Sequence, residues 1–229
     1  MHTDYIQQYL PNGIRLIIVP TKKFKTISIG LFLHQELNPK LAAFNALLPA
    51  VLEQGSRRYP DYLTLQREME KLYGAEFTSD IMKSGEKHVL SLVLEIAHER
   101  YIGENVGLFN QGLSILGSLV GDPLLVEGAF KEEYVKQEKN QLIKDIKALL
   151  NDKTAYAYER CVSLMCRDER FGVYKLGNQE DYQNIDAVSL YSYYKEIRAR
   201  NPIDLFIVGD LSEKEAYSAA VDYFSFDRD

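Results

Sequence analysis

A six-residue run, Val89-Leu90-Ser91-Leu92-Val93-Leu94, constrains the fold of this chain more than any other segment. It is short, almost wholly apolar and preceded by the turn sequence Lys83-Ser84-Gly85-Glu86, so it reads as a strand in a buried, central position. Residues 78–97 therefore read as two strands joined at that turn. A buried strand needs neighbours on both sides and cover from another layer, and the rest of the chain supplies candidates for each role.

Upstream, residues 5–33 read as three strands. The first two meet at Tyr9-Leu10-Pro11-Asn12-Gly13, where Asn-Gly would provide the left-handed pair of a tight two-residue turn. Helical patterns follow at 40–54 and 62–73, and again from Glu104 to Val120, where Gly121-Asp122-Pro123 stops the helix. The stripe Val135, Leu142, Ile146 and Leu149 marks one face of a long helix ending near Leu150. Further helices are expected at 155–166 and 187–198, then a strand at 203–208, then a helix from Ser212, the expected N-cap, to about Phe224. This order predicts the α+β class: a mostly antiparallel sheet covered on one face by helices.

With 229 residues, 46% of them apolar, the chain can bury a substantial core. No linker or low-complexity tract divides it, so residues 1–229 read as one domain. The net charge of −6 argues against a nucleic-acid surface. The longest apolar patch, 46–52, is far too short to cross a bilayer, and no signal-like segment opens the sequence, so a cytoplasmic protein without membrane association is expected. Cys161 and Cys166 are badly spaced for a bridge or a zinc clip and read as buried free thiols in a reducing compartment. There is no nucleophile elbow, phosphate loop or C-x-x-C pair.

The segment Asn45-Ala46-Leu47-Leu48-Pro49-Ala50-Val51-Leu52-Glu53-Gln54-Gly55-Ser56 resembles the metal helix of the pitrilysin/insulinase family of inverted zincins, H-x-x-E-H followed by a Gly-Thr-like pair. Gly55-Ser56 set on that pair puts Ala46, Pro49 and Ala50 at the His, Glu and His positions. That chemistry needs two imidazoles one turn apart on Zn²⁺ and a carboxylate to take a proton from the metal-bound water. Alanine and proline supply neither. The resemblance extends to the opening hairpin, to Gly74-Ala75-Glu76-Phe77-Thr78-Ser79, and to Glu138-Lys139-Asn140-Gln141-Leu142-Ile143-Lys144-Asp145-Ile146, similar to the helix bearing the family's third ligand. There Asp145 takes the vestigial ligand position, with Glu138 seven residues before it.

The resemblance implies the N-terminal half-repeat of the pitrilysin-type two-domain fold, with the second half absent after Asp229. It also implies a catalytically inactive, zinc-peptidase-like protein acting as a structural or peptide-binding subunit, with no cofactor. Its expected partner is an active pitrilysin-type peptidase subunit or its own missing C-terminal half, in an oligomer. A peptide would be taken up along the exposed edge of the sheet. The alternative is a zinc-dependent metallopeptidase with a non-standard site built from Asp145, Glu138 and His34. His34 is the histidine expected nearest the vestigial helix, whereas His2, His88 and His98 read as scattered imidazoles without a metal role. Tyr191, Tyr193 and Tyr194 read chiefly as core-packing side chains, with an interface as the other reading.

Overall fold

The computed structural model describes residues 5–103 and 106–229. Among these residues there are eight strands: β1 (Ile6–Tyr9), β2 (Arg15–Pro20), β3 (Thr26–Glu36), β4 (Glu76–Ser84), β5 (Lys87–Ala97), β6 (Leu125–Val126), β7 (Ala129–Phe130) and β8 (Ile203–Gly209). Six of them form one sheet in the order β1-β2-β8-β3-β5-β4, antiparallel throughout except for the parallel β2–β8 pair, and β6–β7 is a separate small hairpin. The run 89–94 lies in β5 with a neighbour on each side: Leu92 is opposite Leu31 of β3 on one side and Ser79 of β4 on the other.

Among the described residues, seven α-helices accompany the sheet: α1 (Ala42–Glu53), α2 (Tyr62–Lys71), α3 (Leu108–Gly121), α4 (Glu132–Ala148), α5 (Lys153–Met165), α6 (Ala187–Arg200) and α7 (Glu213–Tyr223). They cover one face. Ile29, Leu31 and Leu33 of β3, Leu90, Leu92 and Leu94 of β5, and Leu205 and Ile207 of β8 point into this layer and are buried with Leu47, Leu113, Leu116 and Leu190 of the helices. The alternate side chains Phe32, Val93, Phe206 and Val208 line a groove on the opposite, open face. The expected α+β architecture is therefore present: a mostly antiparallel sheet with helices on one side.

Three local readings need correction. The first turn has a Leu10 carbonyl accepting from the Gly13 N–H, with the left-handed residue at Gly13 alone. Asn12 is not left-handed, and its amide donates to the Phe224 and Phe226 carbonyls instead, fastening the hairpin to the C-terminal segment. The helix read as starting at Glu104 begins at Leu108, and Glu104 itself lies outside the described residues, as does His2. Cys161 is exposed and Cys166 partly so, because α5 has no buried residue and touches the body along one thin stripe; both thiols are free.

The N-cap read at Ser212 holds: its hydroxyl accepts from the Glu215 N–H, satisfying one of the orphan donors of α7. Ser212→Ala should cost about 1 kcal/mol, read as a lower urea midpoint with unchanged slope. Tyr194 is buried and packs against Phe130 and Tyr191, which bears out the core reading of that tyrosine group.

Candidate functional site

Helix α1 is almost entirely buried, because its sequence AAFNALLPAVLE carries apolar side chains on nearly every face. Ala46 is 3% exposed and lies in the core; Pro49 is buried and Ala50 half-buried. Pro49 has no N–H for the Asn45 carbonyl, so the helix gives up a hydrogen bond at the position where the inverted-zincin pattern has glutamate. Beyond the helix, a Cβ on Gly55 would sit 2.4 Å from the Tyr59 carbonyl oxygen, so only glycine fits. Ser56 is fully buried, bonded to the Ser118 hydroxyl and accepting from the Tyr59 N–H. The Gly-Ser pair thus has a structural role at the end of α1.

Two carboxyls gather at the C-terminal end of α1. Glu53 accepts from the Ser79 hydroxyl of β4, and Glu138 of α4 accepts from the Gln54 amide at 3.0 Å and from the Gln137 amide. Burial raises both groups above the usual carboxylate range, and for Glu138 the nearby charges of Glu53 and Asp145 push the same way. Asp145 lies two turns further along α4, exposed and accepting from the Gln141 amide. Glu53 escaped the sequence reading because a single acidic residue at a helix end carries no signal of its own; its pairing with Glu138 exists only through the packing of α1 on α4.

His34 is not near this site. In β3 its neighbours Leu31 and Leu33 face the helices, whereas Phe32 and His34 face the open side, so the sheet separates His34 from α1. There its Nε2 lies 2.9 Å from Asp204, a carboxylate only 4% exposed that also takes two hydrogen bonds from the Arg15 guanidinium. The set Asp145, Glu138 and His34 therefore cannot converge on one ion. Among the described residues no group of three or more His, Cys, Asp or Glu side chains is placed to hold a metal. The donors around α1 do not fit the zinc of an inverted zincin.

The histidine beside α1 is His88 of β5. It is fully buried; its Nδ1 is 3.1 Å from the Asn45 amide nitrogen, and the Asn45 carbonyl oxygen accepts from the Tyr193 hydroxyl. Burial, with Lys83 and Lys175 nearby and only the Lys175 main chain opposing, lowers the His88 pKa to about 4. Asn45, His88 and Tyr193 form a neutral network beside the first turns of α1. The signal for it was a polar residue, Asn45, in the first turns of an otherwise apolar helix.

No family model matches the chain. It is 34% identical over 212 residues to a protein of Bacillus subtilis strain 168 described as probable inactive metalloprotease YmfF, an alignment covering 93% of this chain and 50% of that one. A conserved protein from Enterococcus faecalis V583 superposes with a TM-score of 0.89 at 24% identity, covering 98% of this chain and 53% of the other. A peptidase M16 inactive domain from Pseudomonas fluorescens superposes with a TM-score of 0.74 at 16% identity, covering 97% of this chain and 50% of the other. This chain is one half of an M16, pitrilysin-type peptidase fold. The pitrilysin-type half spans about half the length of the curated relative it matches. Its sequence contains no H-x-x-E-H. No helix among the described residues of this pitrilysin-type half is long and apolar enough to cross a membrane.

Proposed function

We propose that this half is a non-catalytic, zinc-free member of the pitrilysin-type peptidases that serves as a structural and peptide-accepting wall for a second half, acting in the cytoplasm. The observation that carries the reading is α1: the helix keeps its packing and its Gly55-Ser56 stop, while Ala46, Pro49 and Ala50 offer neither metal ligand nor general base. Selection on stability alone accounts for a retained helix; catalysis would have required its side chains.

The need for a second half is supported by the open face of the sheet. Phe32 and Phe206 meet edge to face there, and with Met82, Val89, Val93 and Val208 they line an apolar groove of about 440 Å³. A contiguous apolar surface of this kind is costly in water and marks a surface that another element covers. Either the remainder of a longer chain or a separate catalytic subunit would do so. The β4 edge, which has β5 on one side only, is the place for an extended peptide.

The test is metal content by elemental analysis of tag-free protein, together with cleavage of an unstructured peptide. The expected result is less than about 0.1 zinc per chain, since two or more good ligands are missing, and no cleavage. Stoichiometric zinc with chelator-sensitive cleavage would overturn the non-catalytic reading.

A further inference from the structure

Helix α5 stands off the body, and the space beside it is lined by polar as well as apolar groups. Asp152 caps the helix, accepting from the Thr154 and Ala155 N–H groups directly after the turn Leu149–Asn151 that follows α4. Ala155, Glu159, Val162, Ser163 and Cys166 are its less exposed positions, whereas Tyr158, Cys161, Leu164 and Met165 point to solvent. The opposite wall is the segment 172–178, and it is fixed at three places. A Cβ on Gly172 would sit 2.2 Å from the Cys166 carbonyl oxygen, so the segment meets the end of α5 backbone to backbone. Gly177 packs against Ala42 and Ala43 at the start of α1, and Lys83 of β4 donates to the Val173 carbonyl at 3.1 Å. Between these walls, with Pro39 and Leu149 completing the lining, lies a cavity of about 450 Å³.

Tyr156 and Glu159 of α5 and Tyr174 of the opposite wall face this cavity together. Glu159 is half-buried, yet among the described residues no hydrogen bond or ion pair engages its carboxylate. A carboxylate drawn part-way out of water without a partner gains by meeting a donor from outside the chain. The field has the matching sign: burial raises the Tyr174 hydroxyl above the usual phenol range, and the charges of Glu159 and Asp145 raise it further. Arg160 is the cation among the described lining residues, but it is exposed and forms no ion pair with Glu159, its neighbour in sequence. Phenol rings beside a carboxylate suit an ammonium or guanidinium group, whose charge lies against the rings while its N–H groups donate to the carboxylate. A bare metal ion is not served, since among the described residues no group of three or more His, Cys, Asp or Glu side chains is placed to hold one.

We propose that the cavity between α5 and residues 172–178 is a binding site for an organic cation, an alkylammonium or alkylguanidinium group, with Glu159 as its counter-ion and Tyr156 and Tyr174 against its charged face. A free amine and a lysine or arginine side chain carry the same group. The site does not depend on the peptide-accepting reading above, because it needs neither the β4 edge nor a second half.

The test is a titration followed through the Gly172 and Gly177 amide signals by NMR. The probes are butylguanidinium as the free cation, N-acetyl-arginine amide as the same group in a peptide frame, and butylurea as the uncharged control. Butylguanidinium should saturate with a Kd of about 1 mM or tighter, and butylurea should bind at least about tenfold more weakly. Glu159→Gln, on a helix with no buried residue, should keep the urea midpoint of the parent and weaken butylguanidinium at least about tenfold. Tyr156→Leu should weaken it by about threefold or more, and Arg160→Gln should leave it as tight or tighter. N-acetyl-arginine amide binding at least as tightly as butylguanidinium would make a peptide side chain the natural source of the cation; butylguanidinium binding alone would make it a free amine. The site is overturned by no saturable binding of either cation, by butylurea binding as tightly as butylguanidinium, or by undiminished binding to both Glu159→Gln and Tyr156→Leu. Weakening by Arg160→Gln of about threefold or more would overturn it too, because the ligand would then be an anion or a dipole.

Discussion

Asn45→Ala should destabilise the protein by about 3 kcal/mol, a drop in Tm of about 6–12 °C for a chain of this size. Asn45 is 1% exposed and joins two other groups: its amide nitrogen faces His88 Nδ1 and its carbonyl oxygen accepts from the Tyr193 hydroxyl. Truncation strands both partners. His88 is the costlier of the two, because the ring is fully buried and Asn45 supplies the hydrogen bond to its Nδ1. The cavity left by the amide adds to the loss, since Phe44 and Tyr193 pack beside it at 5.2 Å between ring centres. Tyr193→Phe alone removes one donor and should cost about 1 kcal/mol; combined with Asn45→Ala the effects should fall short of additive by a similar amount. Urea unfolding of the three variants decides the matter. A loss below about 1 kcal/mol for Asn45→Ala would mean that water or a rearranged neighbour takes over its hydrogen bonds, and the network would not be what stabilises this end of α1.

Much of the fold was legible because period-2 and period-3.6 patterns are local properties. The hairpin at 78–97 emerged as β4 and β5 around the same turn, and the helix read at 40–54 emerged as α1. What could not be read was the placement of β8. It comes last among the strands yet lies between β2 and β3, and nothing local to residues 203–209 encodes that insertion. The misplacement of His34 follows from the same gap. Alternation along β3 puts Phe32 and His34 on one face, but the strands are apolar on both sides, so pattern alone does not tell which face the helices cover. The thiols failed for a different reason. Helix α5 carries Tyr158, Leu164 and Met165 on its exposed side, so its apolar residues did not mark a buried face. The absence of H-x-x-E-H, by contrast, was readable without any structure, because a metal helix is defined by residue types at fixed spacing.

The second large effect is on pH dependence, where His88 and the acidic pair act with opposite signs. His88 has its folded pKa near 4, below the 6.5 of an unfolded chain. Its contribution is therefore fully present above pH 6.5 and is lost as pH falls toward 4, by about 2 kcal/mol at pH 5. Protonation would also turn Nδ1 into a donor facing the donor amide of Asn45, in a pocket that already holds Lys83 and Lys175. Glu53 and Glu138 have folded pKa values raised above 4.5 by burial. Their contribution is fully present below pH 4.5 and is lost as pH rises through the folded values, so acidification restores it. The parent protein should lose stability from pH 6.5 to 5, and His88→Gln, which cannot take a proton, should lose much less or gain. The free-energy gap between the two proteins, measured by urea unfolding at half-unit steps, should shrink by about 2 kcal/mol between pH 7 and pH 5. Parallel curves would show that His88 titrates alike in folded and unfolded chains, and the buried neutral network beside α1 would have to be abandoned. A shrinking gap would instead tie the acid sensitivity of this half to the buried imidazole beside α1.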